Sequence, residues 1–311
     1  MGGVALNVLV TGGAGFIGSH LVDKLVSGGA YVKVLDNLST GNLSNISRHI
    51  DSGKVEFIEG DVRDPTIIEK AVRGVSHVVH LAAIISVTFS TENPAVTYDV
   101  NTSGTLKLLA ASAGAGVKRF VFVSSCAVYG EPVFLPVTES HPTNPISPYA
   151  DSKLKAEQHC LDFNQEDGLE SVVLRFFNVY GPRHGLNDYN GVITKFIDNI
   201  KHDKPLTIYG DGSATRDFVN VSDVVDAIVA SMDSNKAAGE TIQVGTGKPT
   251  SINELAETLR KLANTQVGLE YKETRVGEIK HSYADIAKAK RLLGYRPRVA
   301  LEEGLATLIS A

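Results

Sequence analysis

Thr11-Gly12-Gly13-Ala14-Gly15-Phe16-Ile17-Gly18 is the stretch whose reading sets the fold. It follows a β-rich run at residues 6–10 and leads into an amphipathic run at 17–26, so a glycine-rich turn joins a strand to a helix. Gly13, Gly15 and Gly18 give Gly-x-Gly-x-x-Gly, and Gly12 adds a further glycine. Such glycines permit a tight turn and let backbone N–H groups approach a pyrophosphate, whose charge a helix N-terminus stabilises. A lone glycine motif can also be a purely structural turn, so the context decides. A second β-rich run, 31–35, is followed by Asp36 at the spacing of a ribose-binding carboxylate. Asp36 can accept both ribose hydroxyl protons. No arginine follows directly in Asn37-Leu38-Ser39-Thr40 to meet a 2′-phosphate, which favours NAD over NADP.

The alternation continues outward from this loop. β-rich runs at 55–58, 75–81, 120–123 and 171–174 alternate with amphipathic runs at 67–72, 102–113 and 148–163. The expected fold class is α/β, a doubly wound parallel Rossmann sheet with a smaller C-terminal α/β substrate lobe. Residues 1–176 are assigned to the NAD-binding domain, to which the chain returns within 217–246, and 177–311 mainly to the lobe. After Phe177 the rhythm breaks into loop-rich sequence with Gly181-Pro182 and Gly185, a helix at 193–200 and a turn at Gly210-Asp211-Gly212. A helix at 224–232, a strand at 241–244 and a helix at 252–262, with Ser251 or Thr250 near its N-cap, complete the pattern.

Composition narrows the function classes. The chain has 311 residues, 43% hydrophobic and 21% charged, enough for an ordinary core. Its formal charge of −5 and lack of a basic run disfavour a nucleic-acid or membrane surface. Cys126 and Cys160 lie in separate motifs without metal-ligand spacing, so no metal site is expected. The sequence opens without a basic, apolar leader, and no apolar run approaches the ~20 residues that span a bilayer. A cytoplasmic protein handling small molecules is the expectation.

Tyr149-Ala150-Asp151-Ser152-Lys153 gives Tyr-x-x-x-Lys, which on a helix sets phenol and ammonium on one face, one turn apart. The lysine and a cationic nicotinamide would favour phenolate, poising the tyrosine for proton exchange near neutral pH. Upstream, a strand ends in Val123-Ser124-Ser125-Cys126-Ala127-Val128-Tyr129-Gly130 and offers a hydroxyl to complete a Ser/Tyr/Lys site. His77 and His80 flank an apolar strand and read as structural. Asp61 follows the third strand, either near an adenine amino group or capping a turn.

On these motifs the chain resembles the extended short-chain dehydrogenase/reductase family, and within it the UDP-galactose 4-epimerase-like members, over essentially its whole length. Further shared segments are Arg175-Phe176-Phe177-Asn178-Val179-Tyr180-Gly181-Pro182-Arg183, Arg216-Asp217-Phe218 and Arg275-Val276-Gly277-Glu278. The resemblance implies Tyr149 as acid/base, Lys153 on the nicotinamide ribose, and Ser125, four residues before Tyr129, as the hydroxyl that bonds the sugar. It implies cofactor contacts from Gly12, Gly15, Phe16, Ile17 and Gly18, and from Asp36, Asn37, Leu38, Ser39, Thr40 and Gly41. Asp61 and Val62, then Leu81, Ala82 and Ala83, extend this surface, and Ser124, Tyr149 and Lys153 reach its nicotinamide end. Phe177 packs near the nicotinamide or in the core. Asn101 begins a helix and could cap it, and the family pattern adds a cofactor contact.

For the substrate, the resemblance implies phosphate contacts from Arg216 and Arg275, an amide from Asn178, Tyr209 stacked on uracil, and backbone bonds around Thr207 and Ile208. Val192 and Ile193 line the same lobe, and Glu278 replaces the more usual ribose-binding Asp. Ser282 stands where a bulky tyrosine restricts the sugar pocket of some relatives, so N-acetylated sugars should fit. Dehydratases of this type carry Asp and Glu directly after the catalytic hydroxyl residue, where this chain has Cys126 and Ala127, and uronate decarboxylases usually keep the Glu. Hexuronate 4-epimerases usually have Thr at the Asn178 position and a further Arg after Gly-Pro-Arg, where this chain has Gly185. The expected function is interconversion of UDP-glucose and UDP-galactose, extending to the N-acetylated UDP-hexosamines, with UDP-hexuronate 4-epimerisation and a net sugar or steroid-type oxidoreductase as alternatives. A third class, a noncatalytic NAD-binding protein, is disfavoured by the intact Ser125, Tyr149 and Lys153. By family analogy, the helices at 102–113 and 148–163 form a homodimer interface.

Overall fold

Near-continuous apolar runs such as Val8-Leu9-Val10 suit strands covered on both faces, and these residues are completely buried. The computed structural model describes residues 6–185, 191–274 and 277–310. The central sheet contains β1 (Asn7–Thr11), β2 (Tyr31–Asp36), β3 (Val55–Glu59), β4 (His77–His80), β5 (Arg119–Ser125), β6 (Glu170–Phe176) and a seventh strand, Thr241–Val244. From one edge to the other the order is seventh, β6, β5, β4, β1, β2, β3, and every pairing is parallel. β1 lies between β2 and β4, with Thr11 beside both Leu35 and His80. The strand order reverses there, which opens a crevice at the strands' carboxyl ends.

Helix α1 (Phe16–Ser27) buries Leu21, Val22, Leu25 and Val26, and helix Val221–Asp233 packs beside it. On the opposite face, Phe120 and Phe122 are fully buried in a second cluster with Leu108, Ala156 and Cys160. Truncating either phenylalanine to alanine should cost about 3–5 kcal/mol through the cavity it leaves. His80 is locked between Thr11 Oγ1 at 2.7 Å and Thr105 Oγ1 at 2.9 Å. Burial pushes its pKa down to about 3, so it is a neutral core histidine, in line with the structural reading.

The remaining elements build a smaller unit around Phe196, Leu206, Ile208, Leu255 and Leu259. Its strands pair two by two: Asn178–Tyr180 with Phe218–Asn220, Leu206–Tyr209 with Leu269–Lys272, and Thr215–Arg216 with Thr250–Ser251. Helix Ile252–Leu262 starts with a capping box between Ser251 and Glu254, one of the two N-caps read from sequence. The loop expected directly after Phe177 is instead a strand. The helix expected from 102 follows a π-helical turn, Asp99–Gly104, and two short helices, Val87–Glu92 and Pro94–Tyr98. Among the described residues, no helix is long and apolar enough to cross a membrane.

Candidate active site

The glycine-rich turn is held by contacts that a side chain would break. Gly12 has φ +70°, and a β-carbon there would lie 2.9 Å from the Ala82 nitrogen; one on Gly18 would lie 2.1 Å from the Gly12 oxygen. The Gly12 amide is spent on Leu35 O, and Ala14 N donates to Asp36 Oδ2 at 2.9 Å. The first amides of α1, at Phe16 and Ile17, have no partner within the helix, and this N-terminus directly follows the glycine turn. Asp36 also accepts from Leu38 N at 2.8 Å, and Gly41 packs against the carboxylate. Burial pushes the Asp36 carboxyl above its ordinary range while the two amides pull it down. A close-approach glycine turn, free helix-end amides and a carboxylate at the end of β2 fit a dinucleotide.

The next loops complete this surface. Asp61 is gripped by Arg63 through Nε and Nη2, both at 2.9 Å, and by Asn37 Nδ2 at 3.0 Å, which holds its carboxyl down to about 2. Arg63 N also donates to Asp61, so the turn-capping role coexists with the site position. Ser39 and Thr40 are exposed, and Leu81 and Ala82 are tied to Thr11 through their amides. Ala83 is half-buried beside them. Val62 is core and packs under Gly104, so its side chain is turned from the crevice.

Asn101 does not cap a helix. It sits inside the π-helical turn, 1% exposed, bridging Ile84, through Oδ1 and Nδ2, and Ser152 Oγ at 3.0 Å. The extra residue of a π-turn aims this amide at two elements, a phase that regular helical periodicity does not anticipate.

Ser125 ends β5 and caps the turn Cys126–Tyr129, its Oγ accepting from Ala127 N at 3.2 Å. The same hydroxyl hydrogen-bonds Tyr149, the second residue of helix Pro148–Glu166, whose start is fixed by Ser147 as N-cap and Pro148. One turn further, Lys153 is 4% exposed with Nζ 4.2 Å from the centroid of Phe122. Burial pushes the Tyr149 phenol up to about 12, with the Ser125 bond pulling the other way, and pushes Lys153 down to about 8. The near-neutral phenolate expected from sequence is thus not a property of the protein alone. Desolvation dominates, and the positive charge of a bound NAD would pull the phenol the other way.

Ser124 faces the other way. Its hydroxyl bonds Glu157, which receives Arg175 Nε at 3.0 Å and Nη2 at 2.6 Å, while Arg175 Nη1 bonds Tyr129 Oη at 2.8 Å. Ser124 can reach a cofactor only through its backbone. Phe177 is 4% exposed within the main core cluster, the second of its two expected places.

Beside this centre lies a cavity of about 400 Å³ lined by Asn178, Val192, Lys195, Phe196, Asp198, Asn199, Thr207, Tyr209, Arg216, Ile252 and Glu278. Arg216 places Nη2 3.5 Å from Glu278 Oε1 and donates Nη1 to Thr215 O at 2.9 Å. Its charge reaches the Cys126 thiol, which joins the cavity to the catalytic turn. Asn178 Oδ1 and Glu278 Oε2 are buried without a hydrogen-bond partner among the described residues. Buried orphan acceptors cost roughly 1–3 kcal/mol each, so the cavity is built for donors on a ligand.

One expected lining residue turns inward: Ile193 (4% exposed) belongs to the small lobe's core, as does the side chain of Ile208 (0%), from which only backbone bonds were expected. Ser282, also buried, does not line this cavity; its amide donates to Thr215 O at 3.1 Å. Arg275 lies outside the described residues. The sequence reading omitted Lys195, Phe196, Asp198, Asn199 and Ile252. Counting three, four and seven residues on from Val192 finds Lys195, Phe196 and Asn199 on one helix face. Among the described residues, no cluster of His, Cys, Asp or Glu could hold a metal ion.

A family profile described as GDP-mannose 4,6 dehydratase matches residues 9–308. A putative UDP-glucose 4-epimerase of Methanocaldococcus jannaschii is 42% identical over 305 residues, 97% of each chain. The UDP-glucose 4-epimerase of Thermotoga maritima, solved with UDP-glucose, superposes with a TM-score of 0.93 at 39% identity, covering 98% of both chains. The UDP-N-acetylglucosamine 4-epimerase of Methanobrevibacter ruminantium, solved with UDP-N-acetylmuramic acid, gives 0.94 at 37% identity, covering 98% of this chain and 97% of that one. Similar epimerase and dehydratase structures hold NAD, the cofactor the crevice fits. The chain belongs to the GDP-mannose 4,6-dehydratase family, of short-chain dehydrogenase/reductase type, and is an NAD-dependent enzyme of nucleotide-sugar epimerase and dehydratase chemistry.

Proposed function

We propose that the enzyme is a UDP-hexose 4-epimerase that interconverts UDP-glucose and UDP-galactose and extends to their N-acetylated counterparts. The observation that carries this reading is the pair beside Ser125. Burial pushes the Cys126 thiol up to about 12, and Ala127 has no polar group, so neither can run the proton transfers that eliminate water. What remains is a hydroxyl, a phenol and an ammonium, enough to move one proton at one carbon. Asn178 and Gly185 leave the positions that serve a hexuronate carboxylate in relatives without that chemistry, which favours a neutral hexose.

When bound, NAD supplies a hydride acceptor that later returns the hydride. Tyr149, bonded to Ser125, takes the proton from the sugar 4-hydroxyl as the 4-keto sugar forms. Lys153 sits one turn away to hold the phenolate. Arg216 anchors the diphosphate as the pivot about which the sugar turns over, and Asn178 and Glu278 accept from ligand hydroxyl or N–H groups. Tyr149 then returns the proton to the 4-oxygen as the hydride comes back to the opposite face of C4, so no net redox change occurs. A homodimer formed through the helices Thr105–Gly114 and Pro148–Glu166 belongs to the same reading.

The test incubates purified protein, without added NAD, with UDP-glucose, UDP-galactose, their N-acetylated forms and UDP-glucuronate, and follows products by NMR. Formation of 4-epimers of the neutral sugars is expected. A 4-keto-6-deoxy product, release of CO2, epimerisation of UDP-glucuronate alone, or a requirement for stoichiometric NAD would overturn the reading.

A further inference from the structure

Phe16 opens the helix that follows the glycine turn, and a ring from a different part of the chain lies flat on it. His184 stacks on Phe16 with centroids 4.5 Å apart and planes within 2° of parallel. His184 comes from residues 181–185, directly after the strand that carries Asn178, and two further bonds fasten this segment to the same helix. His20 Nε2 donates to Pro182 O at 3.0 Å, and Arg183 Nη2 meets Asp23 Oδ2 at 2.7 Å. Phe16, His20 and Asp23 are spaced by four and three residues, so they form one stripe along α1.

The segment's backbone is shaped for this course. Gly181 has φ +156° and packs on Val221 and Phe16, while Arg183 holds φ +64°, a left-handed conformation that costs a side-chain-bearing residue energy and persists where contacts over-determine it. Its ion pair supplies that contact: Asp23 Oδ2 is taken by Arg183, and Oδ1 by Arg48 and His49, each at 2.7 Å. The far edge of the His184 ring reaches the substrate lobe, with Nδ1 3.5 Å from Thr194 Oγ1 and Cε1 seated over Gly191. One ring thus spans the first turn of the cofactor helix and the first turn of the helix that lines the sugar-nucleotide cavity.

We propose that residues 181–185 form a strap that retains NAD between turnovers, with His184, stacked on Phe16, as its clasp. His184 is a positioning residue: it fixes the Phe16 end of the pyrophosphate-binding turn and couples it to the substrate helix, so the cofactor cannot leave until the stack opens. The inference rests on the NAD crevice and not on the choice of sugar.

The experiment loads wild-type and variant enzyme with isotopically labelled NAD, adds excess unlabelled NAD, and measures label remaining on the protein by mass spectrometry after rapid gel filtration. His184→Ala should release NAD roughly three- to tenfold faster, the factor an aromatic pair is worth. His184→Phe, which keeps the stack and drops the Thr194 contact, should stay near the wild-type rate. If His184→Ala does not fold, judged by its thermal transition, Phe16→Leu removes the stack from the other side and should show the same acceleration. An unchanged rate in folded His184→Ala or Phe16→Leu, or a His184→Phe rate as fast as that of the alanine variant, would overturn the strap. Because this readout is cofactor exchange, it can fail while the epimerase reading stands, and the reverse also holds.

Discussion

Glu157 and Arg175 form a buried ion pair, with Oε2 to Nη2 at 2.6 Å and side chains 3% and 8% exposed, directly behind the strand end that delivers Ser125. Glu157 lies one helical turn beyond Lys153 and also holds Ser124, so one carboxylate joins the strand that ends in Ser125 to the helix that carries Tyr149 and Lys153. Removing the arginine leaves that charge desolvated and alone. Arg175→Ala is expected to destabilise the protein by about 3–5 kcal/mol in urea unfolding. The double change Arg175→Met with Glu157→Met should recover most of the loss, and a double variant as unstable as the single would show that the pair's charges are not the reason.

Tyr149→Phe removes the phenol, bonded to Ser125, that exchanges the sugar's proton in the proposed reaction. Turnover should fall on the order of 100- to 10,000-fold. The melting temperature and NAD content should stay at wild-type levels. Near-normal turnover in this variant would take Tyr149 out of the chemistry.

Lys153 stores a cost that pH reveals. Burial lowers its pKa from 10.5 to about 8, so the unfolded chain holds this proton more tightly than the NAD-free native state. The penalty is complete below pH 8, shrinks as pH rises through about 8 to 10.5, and vanishes above that range. Lys153→Met in the NAD-free protein should therefore raise stability by about 3 kcal/mol at pH 7, and by little at pH 10.5, while abolishing turnover. Equal stability of the two proteins at pH 7 would contradict this account.

Ser282 tests the breadth of the sugar pocket. It is 6% exposed and fastened by its amide to Thr215, the neighbour of Arg216. A tyrosine in this buried place must find its room beside the strand that carries Arg216. Ser282→Tyr is expected to remove turnover of N-acetylated sugars selectively, since a steric block costs the larger substrate more. Equal losses on both sugar pairs in a competition assay would reject a gate at this position.

The doubly wound sheet was legible because its signals are local: a glycine turn, Asp36 one helix and one strand later, and apolar runs of strand length. The small lobe's helices were legible as well, but its strand pairs were not, because pairs such as Leu206–Tyr209 with Leu269–Lys272 join short segments far apart in sequence, and neither carries a signature of its own. Within the site, residue types were legible and orientations were not. Val192 and Ile193 were read as one surface, yet they divide between cavity and core, just as Thr207 and Tyr209 line the cavity while Ile208 between them is core, each by the period of its own element. Glu157 was missed for a different reason. An acidic residue on a polar helix looks solvated until Arg175, from another strand, is placed against it.

The seventh strand, Thr241–Val244, bears on how the chain is made. It pairs with β6, yet about half of the substrate lobe comes between them in sequence. A chain leaving the ribosome therefore carries β6 as a raw sheet margin, its ladder of N–H and C=O groups open to other nascent chains, until residue 244 emerges. The interval is a window for aggregation that native stability does not report. A fragment ending at residue 176 would make that window permanent, and light scattering should find it self-associating where the full chain stays dispersed.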